Sequence, residues 1–152
     1  MEIELREAPA DDPVTLRLAM AMRDEVEERG AHNGAERPNM KLADAIRADS
    51  DRFVAYAGQE PVGIGALRLL GTGTAEVKRM YVIPEYRGAG VAKRILDELE
   101  RRARRHGQRA IRLDTNARLV EANRMYLAAG FRRIEDYNSN PRANRWYEKS
   151  LA

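Results

Sequence analysis

Apolar positions along this chain switch repeatedly between a period of two and a period near 3.6. "IELRE", Ile3 to Glu7, alternates apolar and polar residues and predicts a short half-buried strand. The next stretch, "DDPVTLRLAMAMRDEVEERG", predicts a helix with Asp12 as N-cap, Pro13 at the first helical position and Gly30 at its end. "AHNGAERPN" reads as a polar loop and "MKLADAIRADS" as a short second helix. "RFVAYAG" and "VGIGALRLL" form a strand pair around the turn "QEP". "GTGT" is another turn. "AEVKRMYVI" is the next strand, stopped by Pro84, which has no ladder donor.

From about Gly88 to Arg105 the apolar residues fall at 91, 92, 95, 96, 99 and 103, a helical stripe. "RAIRLDT" returns to alternation, with Ile111 and Leu113 on one face. "LVEANRMYLAAGF" predicts a second long helix ending at Gly130, the usual place for a residue of left-handed conformation. "FRRIEDY" and "NRWYEKSL" are two final strands around the loop "NSNPRA". The order β-α-α-β-β-β-α-β-α-β-β predicts an α/β (α+β) fold. Its sheet is mixed, mostly antiparallel and about seven-stranded, with helices on both faces. No repeat, low-complexity run or linker interrupts residues 1–152, which read as a single domain.

Composition narrows the class. With 43% hydrophobic and 34% charged residues, the 152-residue chain is an ordinary soluble domain. "MEIELREAPA" carries three acids and no apolar core, so it is no signal peptide. No apolar run approaches the roughly 18 residues of a membrane span, so no membrane partner is expected and the cytoplasm is the expected location. Cysteine is absent, which excludes disulfides, thiolate metal sites and a covalent cysteine intermediate. His32 and His106 belong to no ligand spacing, and no metal is expected. "ERRARRHGQR" lacks interleaved aromatics and ends an amphipathic helix. It reads as a solvated face, with no nucleic acid partner.

Charge is uneven. Residues 1–60 hold 8 Lys/Arg against 14 Asp/Glu, and residues 61–152 hold 19 against 10. Solvated helix faces would account for this, and so would an anionic ligand bound by the C-terminal half. "YRGAGVAKRIL", Tyr86 to Leu96, offers a place for such an anion, although its glycines would equally fit a tight strand-to-helix turn. A helix start exposes unpaired N–H groups and partial positive charge, and Gly88, Ala89 and Gly90 leave those groups uncovered. Strand, glycine-rich turn and helix make a cradle for a pyrophosphate, to which Arg87 adds a cation. No Walker A loop is present, and "GIGALR", Gly63 to Arg68, lies inside a strand without the third glycine of a dinucleotide fingerprint.

Arg87-x-x-Gly90-x-Ala92 matches the [QR]-x-x-G-x-[GA] pattern of the GNAT family of N-acetyltransferases. "EANRMYLAAGF" resembles that family's tyrosine-bearing helix. The resemblance covers residues 3 to 150. It implies a GNAT-like sheet whose strands splay at the cofactor site, with acetyl-CoA as co-substrate. Met80, Tyr81 and Val82 would pair with the pantetheine arm as an added strand. Arg87, Gly88, Ala89, Gly90, Val91 and Ala92 would hold the pyrophosphate. Tyr126 occupies the position of the general acid that protonates the departing thiolate. A phenol of pKa about 10 suffices for a thiolate of pKa about 8.5. The alternative is a half-buried core tyrosine. Asn123 and Asn116 are the amides expected near the CoA arm, because Leu119 stands where many members carry asparagine. Glu76, eleven residues before Arg87, has the spacing of the general base in some members. Plain alternation puts Glu76, Lys78, Met80 and Val82 on one strand face, and Lys78 makes an ion pair the alternative role for Glu76.

The implied function is acetyl transfer from acetyl-CoA to a primary amine, directly in a ternary complex. A catalytically silent GNAT-fold module binding CoA or an effector is the alternative. The acceptor is a small-molecule or peptide amine, and the chain a monomer or homodimer. Asp24, Glu25, Glu27 and Glu28, at a helix end where the dipole disfavours acids, point to a cationic acceptor.

Overall fold

In a computed structural model describing residues 2–152, the chain runs β1 (Ile3–Glu7), α1 (Pro13–Glu28), α2 (Leu42–Arg47), β2 (Asp51–Ala57), β3 (Glu60–Leu69) and β4 (Thr74–Val82). It continues through α3 (Val91–Arg105), β5 (Ala110–Thr115), α4 (Val120–Ala128), β6 (Arg132–Ile134) and β7 (Arg145–Ser150). The seven strands form one sheet in the order β1-β2-β3-β4-β5-β7-β6. Every neighbouring pair is antiparallel except β4–β5, which is parallel. The mixed, mostly antiparallel architecture is the one the apolar pattern predicts.

Local chemistry explains the helix ends. Asp12 caps α1 by accepting from Thr15 N–H at 3.2 Å and Thr15 Oγ1 at 2.8 Å, and Pro13 enters without a donor to lose. The apolar stripe of α3 puts Ile95, Leu96, Leu99 and Ala103 out of solvent against Leu67, Val77, Ile111 and Leu113. Together α3 and α4 cover this face. The other face carries α1 and α2, where Leu18, Ala19 and Ile46 meet Val54 and Ile64 in a second cluster.

Three boundaries differ from the sequence expectation. Helix α3 begins at Val91 rather than Gly88, because a 3-10 turn at Pro84–Tyr86 and left-handed Gly88 and Gly90 first swing the chain around. Strand β6 is only Arg132–Ile134. The chain leaves the sheet there for a loop in which Asp136 accepts from the N–H groups of Asn138 and Ser139. The third difference lies inside β4. Ala66 pairs with Lys78 but Ile64 pairs with Tyr81, so Arg79 and Met80 together oppose Gly65. This bulge, with Arg79 at φ 51, reverses the alternation. Ala75 and Val77 face α3, and so do Met80 and Val82. Glu76 and Lys78 therefore do not share a face with Met80 and Val82; they point to the side of α1 and α2, as Tyr81 does.

The glycines of "GIGALR" serve the same packing. A Cβ on Gly65 would lie 2.4 Å from Ile95 Cγ2 and 3.0 Å from Met80 Sδ, so α3 could not sit so close to β3. Gly65→Ala is expected to lower stability by about 1–3 kcal/mol, as overpacking does. Thermal or urea denaturation would measure it, and an unchanged midpoint would show that Ile95 yields freely.

Candidate functional site

The cleft follows from where β4 and β5 stop pairing. Their parallel ladder covers Thr74↔Ala110, Ala75↔Ile111 and Glu76↔Arg112 and then ends, although β4 runs on to Val82 and β5 to Thr115. Beyond Glu76 one edge of β4 has no strand beside it, so its backbone groups are available to another extended chain. A cavity of about 420 Å³ occupies this gap. It takes wall from helices on both faces of the sheet: Met22, Glu25 and Val26 of α1 with Arg29 just past its end, and Ala122, Met125 and Tyr126 of α4. Only a sheet opened between two strands permits that.

Most of the residues proposed from sequence meet here. Met80, Tyr81 and Val82 form one wall, and Arg87, Gly88, Gly90, Val91 and Ala92 the end nearest α3. Ala89 does not line the cavity. Gly88 and Gly90 have φ of 80° and 83°, and a Cβ on either would meet nothing within 4 Å. Gly90 is the N-cap of α3 and no side chain caps that end. The turn thus presents bare N–H groups and open space, which fits a diphosphate. The Arg87 guanidinium is not over the turn. It donates to Val82 O and to Glu25 Oε1, both at 2.8 Å, and its centre lies 5.5 Å from the Tyr81 ring centroid.

Tyr126 is 5% exposed and reaches the cavity from α4. Phe131 packs edge-on to its ring at 5.8 Å and Tyr147 tilts against it at 6.1 Å. Its hydroxyl makes no hydrogen bond with any described residue. Burial first, and then the charge of Asp114, push its pKa well above the ordinary tyrosine value. The phenol is therefore a retained proton donor facing open space. Gly130, at φ 97, turns the chain out of α4, and Phe131 N–H closes on Tyr126 O at 3.1 Å.

Glu76, Asn116 and Asn123 lie outside the cavity wall. Glu76 is 5% exposed and accepts from Tyr137 Oη at 2.6 Å, with Lys78 Nζ at 3.6 Å. These partners match the ion-pair alternative. The Asn123 amide donates to Asn116 O and Leu119 O and accepts from Tyr147 Oη at 2.6 Å, which fixes the first turn of α4 and the ring beside Tyr126. Asn116 donates to Asn33 Oδ1 at 3.0 Å and to Arg142 O at 3.2 Å. It belongs to a clasp between the α1–α2 loop and the β6–β7 loop. Asn33 also donates to Ala143 O, Asn144 donates to Asn33, and Arg142 reaches Ala35 O and Glu27.

The α1 wall was missed except for Glu25. Its signal was present: Met22, Glu25, Val26 and Arg29 stand at helical spacing on one face. The acids of α1 are less free than their number suggests. Glu25 pairs with Arg87 and Arg29, and Glu27 with Arg142 and Arg37.

Residues 18–131 match the acetyltransferase (GNAT) family. The chain belongs to this family. An uncharacterized N-acetyltransferase of Schizosaccharomyces pombe is 36% identical over 74 residues, 49% of this chain and 45% of the relative. The chain spans 45–61% of the length of the curated relatives it matches. Among solved structures, a GNAT-family acetyltransferase of Staphylococcus aureus Mu50 superposes with a TM-score of 0.82 at 20% identity, covering 99% of this chain and 100% of that one. Neisseria gonorrhoeae N-acetylglutamate synthase, complexed with coenzyme A and N-acetyl-glutamate, gives 0.77 at 18% identity over 100% of this chain and 36% of its own. The likenesses to solved structures establish the GNAT fold. Among the described residues no helix is long and apolar enough to cross a membrane.

Proposed function

We propose that this protein transfers an acetyl group from acetyl-CoA to a primary amine in a single ternary complex. The observation that carries the reading is the gap between β4 and β5, which joins the bare N-terminus of α3 to the Tyr126 hydroxyl in one cavity. Acetyl-CoA would supply the activated thioester. The N–H groups around Gly88 to Ala92 would hold its diphosphate, and the free edge of Met80 to Val82 its pantetheine arm. Tyr126 Oη would give its proton to the departing thiolate, and the proton shed by the acetylated amine would return to the phenolate, directly or through water. Glu76 enters this reading as the anchor of the β6–β7 loop through Tyr137, rather than as a base.

The amine enters from the α1 side, where Met22 and Val26 flank Glu25. This wall supports a primary amine on an apolar body, free or at the end of a peptide side chain. Of the four acids at the end of α1, Glu25 and Glu27 are paired with arginines, which leaves Asp24 and Glu28 to attract a cation.

Thermal shift with acetyl-CoA, followed by thiol release over a panel of amines, tests the reading. Stabilisation by acetyl-CoA with no turnover on any amine would favour a silent binding module. Initial rates are expected to give intersecting double-reciprocal lines, because the chain has no cysteine to carry an acyl group. Parallel lines, or an acetylated protein formed without amine, would overturn direct transfer.

A further inference from the structure

Asp49 is a carboxylate that no step above uses. It lies between α2 and β2, and its side chain is 0% exposed. Its backbone carbonyl accepts from Arg52 Nη1 at 2.7 Å, so its place is set by a neighbour rather than by chance packing. Two cations reach its oxygens: Arg79 from β4 and, at 3.4 Å, Arg68 from β3. Arg79 is the residue at φ 51 in the β4 bulge, and its side chain is only 12% exposed. A non-glycine residue in the left-handed region is strained and persists where surrounding structure holds it. Burial pulls its guanidinium down to about 10, still a cation at neutral pH and one that needs a counter-charge.

The bulge decides what lines the cleft. Without it β4 would slip by one residue, and every side chain beyond would change faces. Met80 and Val82 would leave the α3 side, and Tyr81 would leave the α1 side. We infer that Asp49 is a positioning residue for the cleft: its buried carboxylate clamps Arg79, and this clamp holds the bulge that presents Met80, Tyr81 and Val82 to the cavity. The inference rests on the acetyl-transfer reading only for its kinetic consequence; the position of Met80 is an independent readout.

The test compares Arg79→Gly with Arg79→Ala, alongside Asp49→Asn. The two Arg79 variants remove the same charge and leave Asp49 with Arg68. They differ in that glycine adopts φ 51 freely and alanine does not. Methyl-labelled methionine NMR, with Met80 assigned by Met80→Leu, reports whether that side chain still lies against Gly65 and Ile95. Arg79→Gly is expected to keep the Met80 signal and a kcat within about 3-fold of the parent. Arg79→Ala and Asp49→Asn are expected to move the signal and lower kcat about 10-fold, the scale of a small misplacement of reacting groups. Affinity for CoA, measured by calorimetry, should fall in the two variants that move Met80 and hold in Arg79→Gly, because the same edge of β4 would carry the pantetheine arm. An unmoved Met80 signal in Arg79→Ala, or in a folded Asp49→Asn, would overturn the clamp. If Asp49→Asn does not fold, the Arg79 pair decides alone. If the parent protein acetylates no amine, the functional reading falls while the Met80 signal still tests the clamp.

Discussion

Tyr126→Phe lowers kcat by about 10²-fold, the lower end of what a general acid contributes, and leaves KM for acetyl-CoA nearly unchanged. The ring keeps its packing against Phe131 and Tyr147, so only the proton donor is lost. The hydroxyl has no hydrogen-bond partner among the described residues, so the melting temperature should barely move. Steady-state kinetics beside a melting curve separates the two effects. A kcat within a factor of two of the parent would make Tyr126 a packing residue. The pH profile adds a second check. Burial and Asp114 raise the phenol's pKa, so it stays protonated through the range in which a free tyrosine would ionise. The parent kcat should therefore show no fall from this group between pH 8 and about 10, the ordinary tyrosine value. A limb on the acid side, from protonation of the amine, is the expected feature.

Gly90→Glu abolishes binding of CoA and acetyl-CoA by calorimetry at concentrations that saturate the parent. Two effects act together. The new carboxylate occupies the space over the N-terminus of α3, where nothing stands within 4 Å of the Cβ position, and it repels an anion there. It also accepts from the exposed N–H groups that a diphosphate would use. Backbone strain is the smaller part, about 1–2 kcal/mol for an L-residue in the left-handed region at φ 83. Gly90→Ala carries that strain without the charge and separates the two. It should melt as low as Gly90→Glu and still bind CoA. A folded Gly90→Glu with parental affinity would remove the diphosphate from this turn.

Much of the architecture was legible because short-range rules decided it. Asp12 with Pro13, the apolar stripe of α3 and Gly130 after α4 each follow from chemistry within a single element. The glycine turn before α3 was legible for the same reason. What was not legible depended on partners distant in the chain. The β4 bulge inserts one residue and reverses the faces, and alternation counted from Glu76 cannot register it. Its local sequence, "VKRMY", carries no glycine; its explanation lies in Asp49 and in the closeness of Gly65 to Ile95. From sequence, Asn116 and Asn123 are candidate cofactor amides because one lies at the end of β5 and the other one turn before Tyr126. Whether an amide is free depends on Asn33, Arg142 and Tyr147, which only the folded chain brings near. Glu76 is the same case, claimed by Tyr137 from 61 residues away.

The asparagine clasp has a bearing on how such a protein could be re-engineered or diverge. Asn33, at φ 57, bonds to Pro141 O and Ala143 O, while Asn116 and Asn144 bond back to Asn33. The α1–α2 loop and the β6–β7 loop are thus one mechanical unit, though more than 100 residues separate them in the chain. A chimera that imports either loop alone from a relative breaks the shared bonds and leaves Asn116, 3% exposed, with buried polar atoms unmatched. Loop exchange should therefore succeed only when both segments are transplanted together, and natural drift in one should be matched by drift in the other.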